Sequence, residues 1–305
     1  MNTVSKAMGS ARFYKFFIPV AVFAVLLYLA SLRLPESHRW DCNAVGAPCL
    51  RNHISGEPAG DVGSRPAEGA VESTEHSRLC RGRDFQIHRV LTAFNSAVTG
   101  EREILLERYL EGWDELVKFL ESLGTVIGFI SQEVKGKLGL VRELRRGAPA
   151  TEEEEEGGDP YRTLRSMMAH ELRAGLVDFR RQSLSGCRTL LRLHRALHWL
   201  QLFLRAVGRS SAGDSMGALC SVAYNQALAP YHSWLLRQAV GVALVALPDR
   251  AEFFRIVCGV EEAEEEKGER EREGRQLLER TVLAITRVYN ITQEAYQANG
   301  MLDLP

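Results

Sequence analysis

The sequence predicts an all-α domain behind an amino-terminal apolar segment, and three observations carry that prediction. From Phe85 to Pro305 apolar residues recur at helical spacing almost everywhere. No stretch alternates apolar and polar residues as a half-buried strand would. The Gly-, Pro- and Ser-rich sequence without any period lies ahead of this region, from about Pro35 to Arg83. The composition fits a folded body: 45% of the 305 residues are hydrophobic, enough for a substantial core. Basic and acidic residues nearly cancel, 38 against 39, which excludes a nucleic-acid binder that works by bulk attraction.

Taken in order, the first element is Phe16 to Leu32, a 17-residue apolar run preceded by Lys6, Arg12 and Lys15 and followed by Arg33. It is at the short end of what crosses a bilayer, and its basic flank is expected on the cytosolic side. Residues 1–34 therefore read as a single-pass membrane anchor, with a signal peptide cleaved near Ala30 as the competing reading. Residues 35–84 read as a flexible linker with a relaxed span of roughly 40 Å. Residues 85–305 form the folded domain. Of the six cysteines, Cys42 and Cys49 could bridge in an oxidising compartment, and Cys80 also precedes the domain. Cys187, Cys220 and Cys258 fall in apolar helical patterns and read as buried free thiols.

Within the domain, Gly124 parts two helical patterns, Glu101–Leu123 and Thr125–Leu144. Glu152–Glu156, closed by Gly157 and Gly158, reads as a solvated loop, and Glu261–Arg275 as an exposed helix end or loop insertion. Ala239–Leu247 is too short to cross a membrane and reads as a buried helical segment. Asp249, with Glu252 three residues on, is a helix start. Seven or eight helices are expected, without internal repeats.

Catalytic templates fail. His170-Glu171 begins like a zinc-protease helix, but Ala174 stands where the second His is needed. No phosphate-binding glycine loop, dinucleotide fingerprint or Gly-x-Ser-x-Gly is present. No metal and no cofactor are called for, and an enzyme is not expected. The informative stretch is Ser185–Arg205. At 100° per residue Arg188, Arg192, Arg195 and Trp199 share one side, with Leu190, Leu193, Leu197, Leu200 and Leu204 opposite. This is either an amphipathic helix with a solvated basic face or a phosphate clamp, since guanidinium forks one turn apart can converge on one dianion. Glu133 and Lys137 have the spacing of an ordinary surface ion pair. His232 follows Pro230 and Tyr231 where a helix begins, and a helix dipole there disfavours the charged ring.

Several motifs then coincide: Tyr109-Leu110-x-x-Trp113, Leu123-Gly124-Thr125-Val126, Phe129-Ile130-Ser131-x-x-Val134, Gly186 to Leu202, Tyr231-His232-x-Trp234, and Arg287-Val288-Tyr289-Asn290 with Leu302-Asp303-Leu304-Pro305. In this order they resemble the glycolipid transfer protein superfamily over Phe85 to Pro305, nearest to its ceramide-1-phosphate branch. The resemblance implies a two-layer helical sandwich that holds the lipid's chains inside and transfers a sphingolipid between membranes without metal or catalysis. It implies that Lys137, Arg188 and Arg192 hold the phosphate, that Glu133 and His232 hold the ceramide amide, and that Trp234 meets the membrane surface. Three cations suit phosphate; opposite an uncharged sugar they would be left unpaired, at a cost of several kcal/mol if desolvated. One departure is Glu133, where the family pattern has Asp, so the carboxylate is displaced by roughly 1 Å or more. Two other readings stay open at this point: transfer of a neutral or sulfated glycolipid, and a membrane-tethered sensor or adaptor that acts through a protein partner.

Overall fold

The structure, a computed structural model, describes residues 84–148, 159–211, 213–259 and 267–305. The apolar run Phe16–Leu32, the linker, Cys42, Cys49, Cys80 and the acidic run Glu152–Glu156 lie outside the described residues. By contacts the chain divides into Met1–Thr74 and Glu75–Pro305, and all that follows concerns the second unit.

Nine α-helices are present among the described residues: α1 Ile87–Ser96, α2 Leu106–Ser122, α3 Thr125–Gly147, α4 Leu164–Arg173, α5 Gly186–Arg209, α6 Met216–Ala227, α7 Trp234–Leu244, α8 Arg250–Cys258 and α9 Lys267–Ala298. A single 3-10 turn, Ala229–Tyr231, joins α6 to α7. This exceeds the expected number because α4 and α8, of ten and nine residues, are shorter than the window in which a 3.6 period becomes visible. Short polar side chains start five of the helices. Thr163 and Ser166 form a reciprocal capping box at α4, and Ser185, Ser215, Ser233 and Asp249 each accept the N–H three residues on. Among the described residues no helix is long and apolar enough to cross a membrane.

Some expected boundaries move. The helix expected from Glu101 begins at Leu106, because Ile104 and Leu105 instead form isolated bridges with Val98 and Thr163. Those bridges satisfy main-chain groups that a helix would otherwise use. Part of the charged stretch Glu261–Arg275 is helical, since α9 starts at Lys267. Ala239–Leu247 is not the buried segment expected: its helix starts earlier, at Trp234, and only Ala243 and Leu244 of the run are buried. Val242 and Val245 face outward. Cys187 and Cys220 are buried free thiols, whereas Cys258 is disulfide-bonded, contrary to expectation.

α1, α2, α3, α5 and α9 pack in a closed circuit, each against the next, and α5 additionally contacts α4 and α6. The longest contact is the antiparallel pair α5 and α9, which polar rungs hold in register. The Tyr296 hydroxyl donates to the Cys187 carbonyl at 2.7 Å, and Gln201 Nε2 donates to Thr286 Oγ1 at 2.6 Å. Near the far end, Arg275 donates to the carbonyls of Gly208 and Ser210. Between them His194, 2% exposed, lies flat on Tyr289 with ring centroids 4.3 Å apart. Its Nε2–H donates to Gln293 Oε1 at 2.6 Å.

The start of α5 is fixed from outside the helix. Glu171, at the end of α4, is fully buried, and its carboxylate accepts from the Tyr161 hydroxyl and the Gly186 and Cys187 N–H groups. These N–H groups are first-turn donors with no partner inside their helix, and the helix dipole favours the negative charge placed there. Glycine is required at 186, because a Cβ would come within 2.8 Å of the carboxylate and 2.7 Å of Met167 Sδ. At the other end of the chain, α9 closes with Gly300 at φ +64. The Met301 N–H donates to the Tyr296 carbonyl and the Gly300 N–H to that of Gln297. This is the Schellman arrangement, and it turns residues 301–305 back across α5.

Two predictions follow from these buried groups. Replacing Glu171 with Gln, which sets an amide against two main-chain donors, should lower the unfolding free energy by about 2 kcal/mol or more in urea titrations. Burial pulls the His194 pKa from 6.5 down to about 4, so below pH 6.5 the unfolded chain binds a proton that the folded protein refuses. Stability should therefore decline as pH falls from about 6.5 towards 4. A His194→Phe variant, which keeps a ring on Tyr289, should lose that component of the pH dependence.

Candidate functional site

The three arginines of α5 are not a solvated face, because the chain end covers them. Arg188 Nε donates to the main-chain oxygen of Pro305 at 2.5 Å, Arg192 Nη1 to the Leu304 carbonyl at 3.1 Å, and Arg195 Nη2 to the Leu302 carbonyl at 2.6 Å. All three are partly buried, and Trp199, the fourth residue of the stripe, is fully so. Among the described residues no Asp or Glu side chain forms an ion pair with any of them. Burial, followed by the neighbouring charges of Arg188 and Arg195, pulls the Arg192 pKa down to about 10. Burial also lowers that of Arg195, opposed by Tyr231 and Asp303. The three arginines are thus a positive cluster without side-chain negative charge of its own, beyond a helix start whose first N–H groups are already taken by Glu171. The two Nη groups of Arg188, and Nε and Nη2 of Arg192, have no acceptor among the described residues.

Glu133 and Lys137 stand one turn apart on α3, which packs against α5. They form an ion pair in which the acid is 76% exposed and the lysine 23%. Their exposure runs opposite to a simple surface pair: the cation is the sheltered member. Among the described residues no hydrogen bond links either to Arg188 or Arg192.

His232 precedes the Ser233 cap of α7 and does not lie within the helix. Its Nδ1 shares a hydrogen bond of 2.8 Å with the Tyr224 hydroxyl of α6, and the ring is half-buried. It is burial, more than the helix dipole, that lowers its pKa and keeps the ring neutral near pH 7. The adjacent Tyr231 lies under the Arg195 guanidinium, 3.7 Å from ring centroid to charge centre. Trp234 is 64% exposed and shares that surface with Tyr231, Leu235 and Leu236.

Towards the other end of α5, around Leu204, the interior is apolar and closely packed. Phe85, Ile87, Leu116, Phe119, Leu204 and Val257 are among the residues around a void of about 10 Å³, room for about one water. More open clefts, of about 520 Å³ beside Glu103 and Arg162 and about 450 Å³ between Ser215 and Asp249, include none of Glu133, Lys137, Arg188, Arg192, His232 and Trp234. Periodicity located Arg188, Arg192 and Arg195 on one side of α5 but not the segment that covers them. It also gave no sign of Glu171 as the support of α5 or of Tyr224 as the partner of His232, since all these contacts join different elements.

Comparison with known proteins places this arrangement. The family model described as Glycolipid transfer protein (GLTP) matches residues 104–259. The ceramide-1-phosphate transfer protein of Mus musculus is 43% identical over 230 residues, which is 73% of this chain and 98% of that protein. That of Homo sapiens is 43% identical over 224 residues, 72% of this chain and 97% of that protein. A crystal structure of the human protein in complex with 2:0 ceramide-1-phosphate superposes with a TM-score of 0.64 at 41% identity, covering 74% of this chain and all of that one.

Proposed function

The chain belongs to the glycolipid transfer protein family, and from that premise we propose that it binds ceramide-1-phosphate and carries it between membranes without altering it. The observation that supports this most directly is the cluster of partly buried arginines on α5 whose guanidiniums meet main-chain oxygens and no Asp or Glu side chain of the described residues. Such a cluster gains most from a ligand that brings its own negative charge, and phosphate oxygens match the guanidinium fork. A neutral sugar would leave the cations unpaired, which makes that alternative the weaker one.

In this reading Arg188 and Arg192 take the phosphate with their free Nη groups, and Lys137 joins them by exchanging Glu133 for a phosphate oxygen. The neutral imidazole of His232 and the Glu133 carboxylate hold the carbonyl and N–H of the ceramide amide. Trp234 and its exposed neighbours meet the bilayer interface. The chains enter the apolar interior, which keeps each CH₂ group from water at ~0.8 kcal/mol apiece. The void between Leu204 and Leu278 holds about 10 Å³, so chains that reach that depth require the helices to part there. No bond is made or broken, so the process is transfer and not catalysis. The run Phe16–Leu32 tethers the domain to one membrane, from which it extracts lipid or reaches a closely apposed bilayer.

The test is transfer of fluorescent ceramide-1-phosphate, against galactosylceramide, from donor vesicles carrying the full chain to acceptor vesicles. Ceramide-1-phosphate should move selectively, and Arg188→Leu should slow it by at least about tenfold, as expected for losing a charge-assisted pair. Equal movement of galactosylceramide would point to the neutral-lipid reading, and movement of neither to a tethered adaptor. Glu133→Asp withdraws the carboxylate from Lys137. Because an exposed i, i+4 pair is weak, ceramide-1-phosphate should bind only about twofold more tightly in a fluorescence titration.

A further inference from the structure

Arg195 belongs to the basic stripe of α5 but has no place in the phosphate clamp, and its surroundings say why. One Nη donates to the Leu302 carbonyl at 2.6 Å, and the guanidinium lies over the Tyr231 ring at 3.7 Å. Of the three arginines it is the one engaged on two sides by the protein itself. What it holds is the segment 301–305, aimed across α5 by the Gly300 turn. That segment is fastened on its other side too, because Met301 and Leu304 are buried at 0% and 4% exposure in the apolar core. Three arginines one helical turn apart thus meet three main-chain oxygens of a five-residue strap.

We propose that residues 301–305 are a latch, seated on α5 by Arg195 and Tyr231, which aims the guanidiniums of Arg188 and Arg192 at the headgroup. The physical need is plain. Like charges on successive turns repel, and long side chains without a fixed partner sample many rotamers. A carboxylate would fix them but would also neutralise them and compete with the ligand. The Leu304 and Leu302 carbonyls each hold one edge of a guanidinium and leave the charge of Arg192 and Arg195 in place. Arg195 and Tyr231 are then positioning residues, which act on the ligand only through the latch. Since Tyr231 neighbours His232, the same contact ties the amide-binding side of the site to the phosphate-binding side. The seating of the latch stands by itself, and only its effect on affinity rests on the phosphate reading.

The experiment uses the full chain in phosphatidylcholine vesicles with and without ceramide-1-phosphate, reading deuterium uptake of the 299–305 segment and lipid affinity together. Tyr231 is 53% exposed, so its replacement spares the core. Tyr231→Leu should speed uptake of 299–305 and weaken ceramide-1-phosphate binding by about fivefold, the range of a lost cation–π contact. Tyr231→Phe keeps the ring and should match the wild type in both. Lys137→Ala, which lies off the latch, should weaken binding while leaving uptake of 299–305 unchanged. Wild-type uptake in both Tyr231→Leu and Arg195→Leu would overturn the latch. Faster uptake with unchanged affinity would overturn its role in aiming the cations. If the wild type binds no ceramide-1-phosphate, the phosphate reading fails, and the uptake data still decide whether the latch is seated as proposed.

Discussion

A buried carboxylate with three donors around it governs where the functional end of this domain lies. Glu171 is removed from water, an arrangement that is costly unless the charge is fully hydrogen-bonded. The Tyr161 hydroxyl and the first two N–H groups of α5 meet that requirement, and in doing so they fix the start of α5 against α4. Arg188 follows one residue later. From that fixed origin the α5–α9 register is held by Tyr296 on Cys187, Gln293 on His194 and Thr286 on Gln201. The end of α9, and with it the turn at Gly300, is therefore delivered to the arginine face of α5. One buried acid at the close of a short helix sets the geometry of residues more than a hundred positions downstream.

The two sets of cations beside the apolar interior are kept charged in different ways. Lys137 has an acid one turn away, a pairing that costs little to break, because Glu133 is mostly solvated. Arg192 and Arg195 have main-chain carbonyls, which orient without neutralising. The depressed pKa of Arg192 records the consequence: positive charge in a partly buried place, beside more positive charge. A site built this way attracts anions before it contacts them closely.

The helical class, the Asp249 cap, the break at Gly124 and the one-sided arginines were legible in the sequence, because each depends on residues within a few positions of one another. What was not legible depends on contacts between distant elements. A helical wheel reports the angle at which Arg188 leaves its helix, but its acceptor is Pro305, 117 residues away. The covered basic face, the support of Glu171 and the Tyr224 bond to His232 all belong to this kind. The outward faces of Val242 and Val245 were missed for a related reason, since hydropathy alone cannot tell a core helix from one that presents apolar side chains to its surroundings. Grouping Arg188, Arg192, Lys137 and His232 into one headgroup site came from resemblance to a family and not from spacing, which left these groups on separate helices.

The apolar void at the Leu204 end of the core holds only about 10 Å³. A carrier with a rigid tunnel would judge its cargo by length, accepting chains up to the depth of the hole. A domain whose walls already touch has no such ruler. Each added methylene must be weighed against the work of prising further pairs of side chains apart, so preference among chains would follow the stiffness of the helix contacts and vary smoothly from one length to the next.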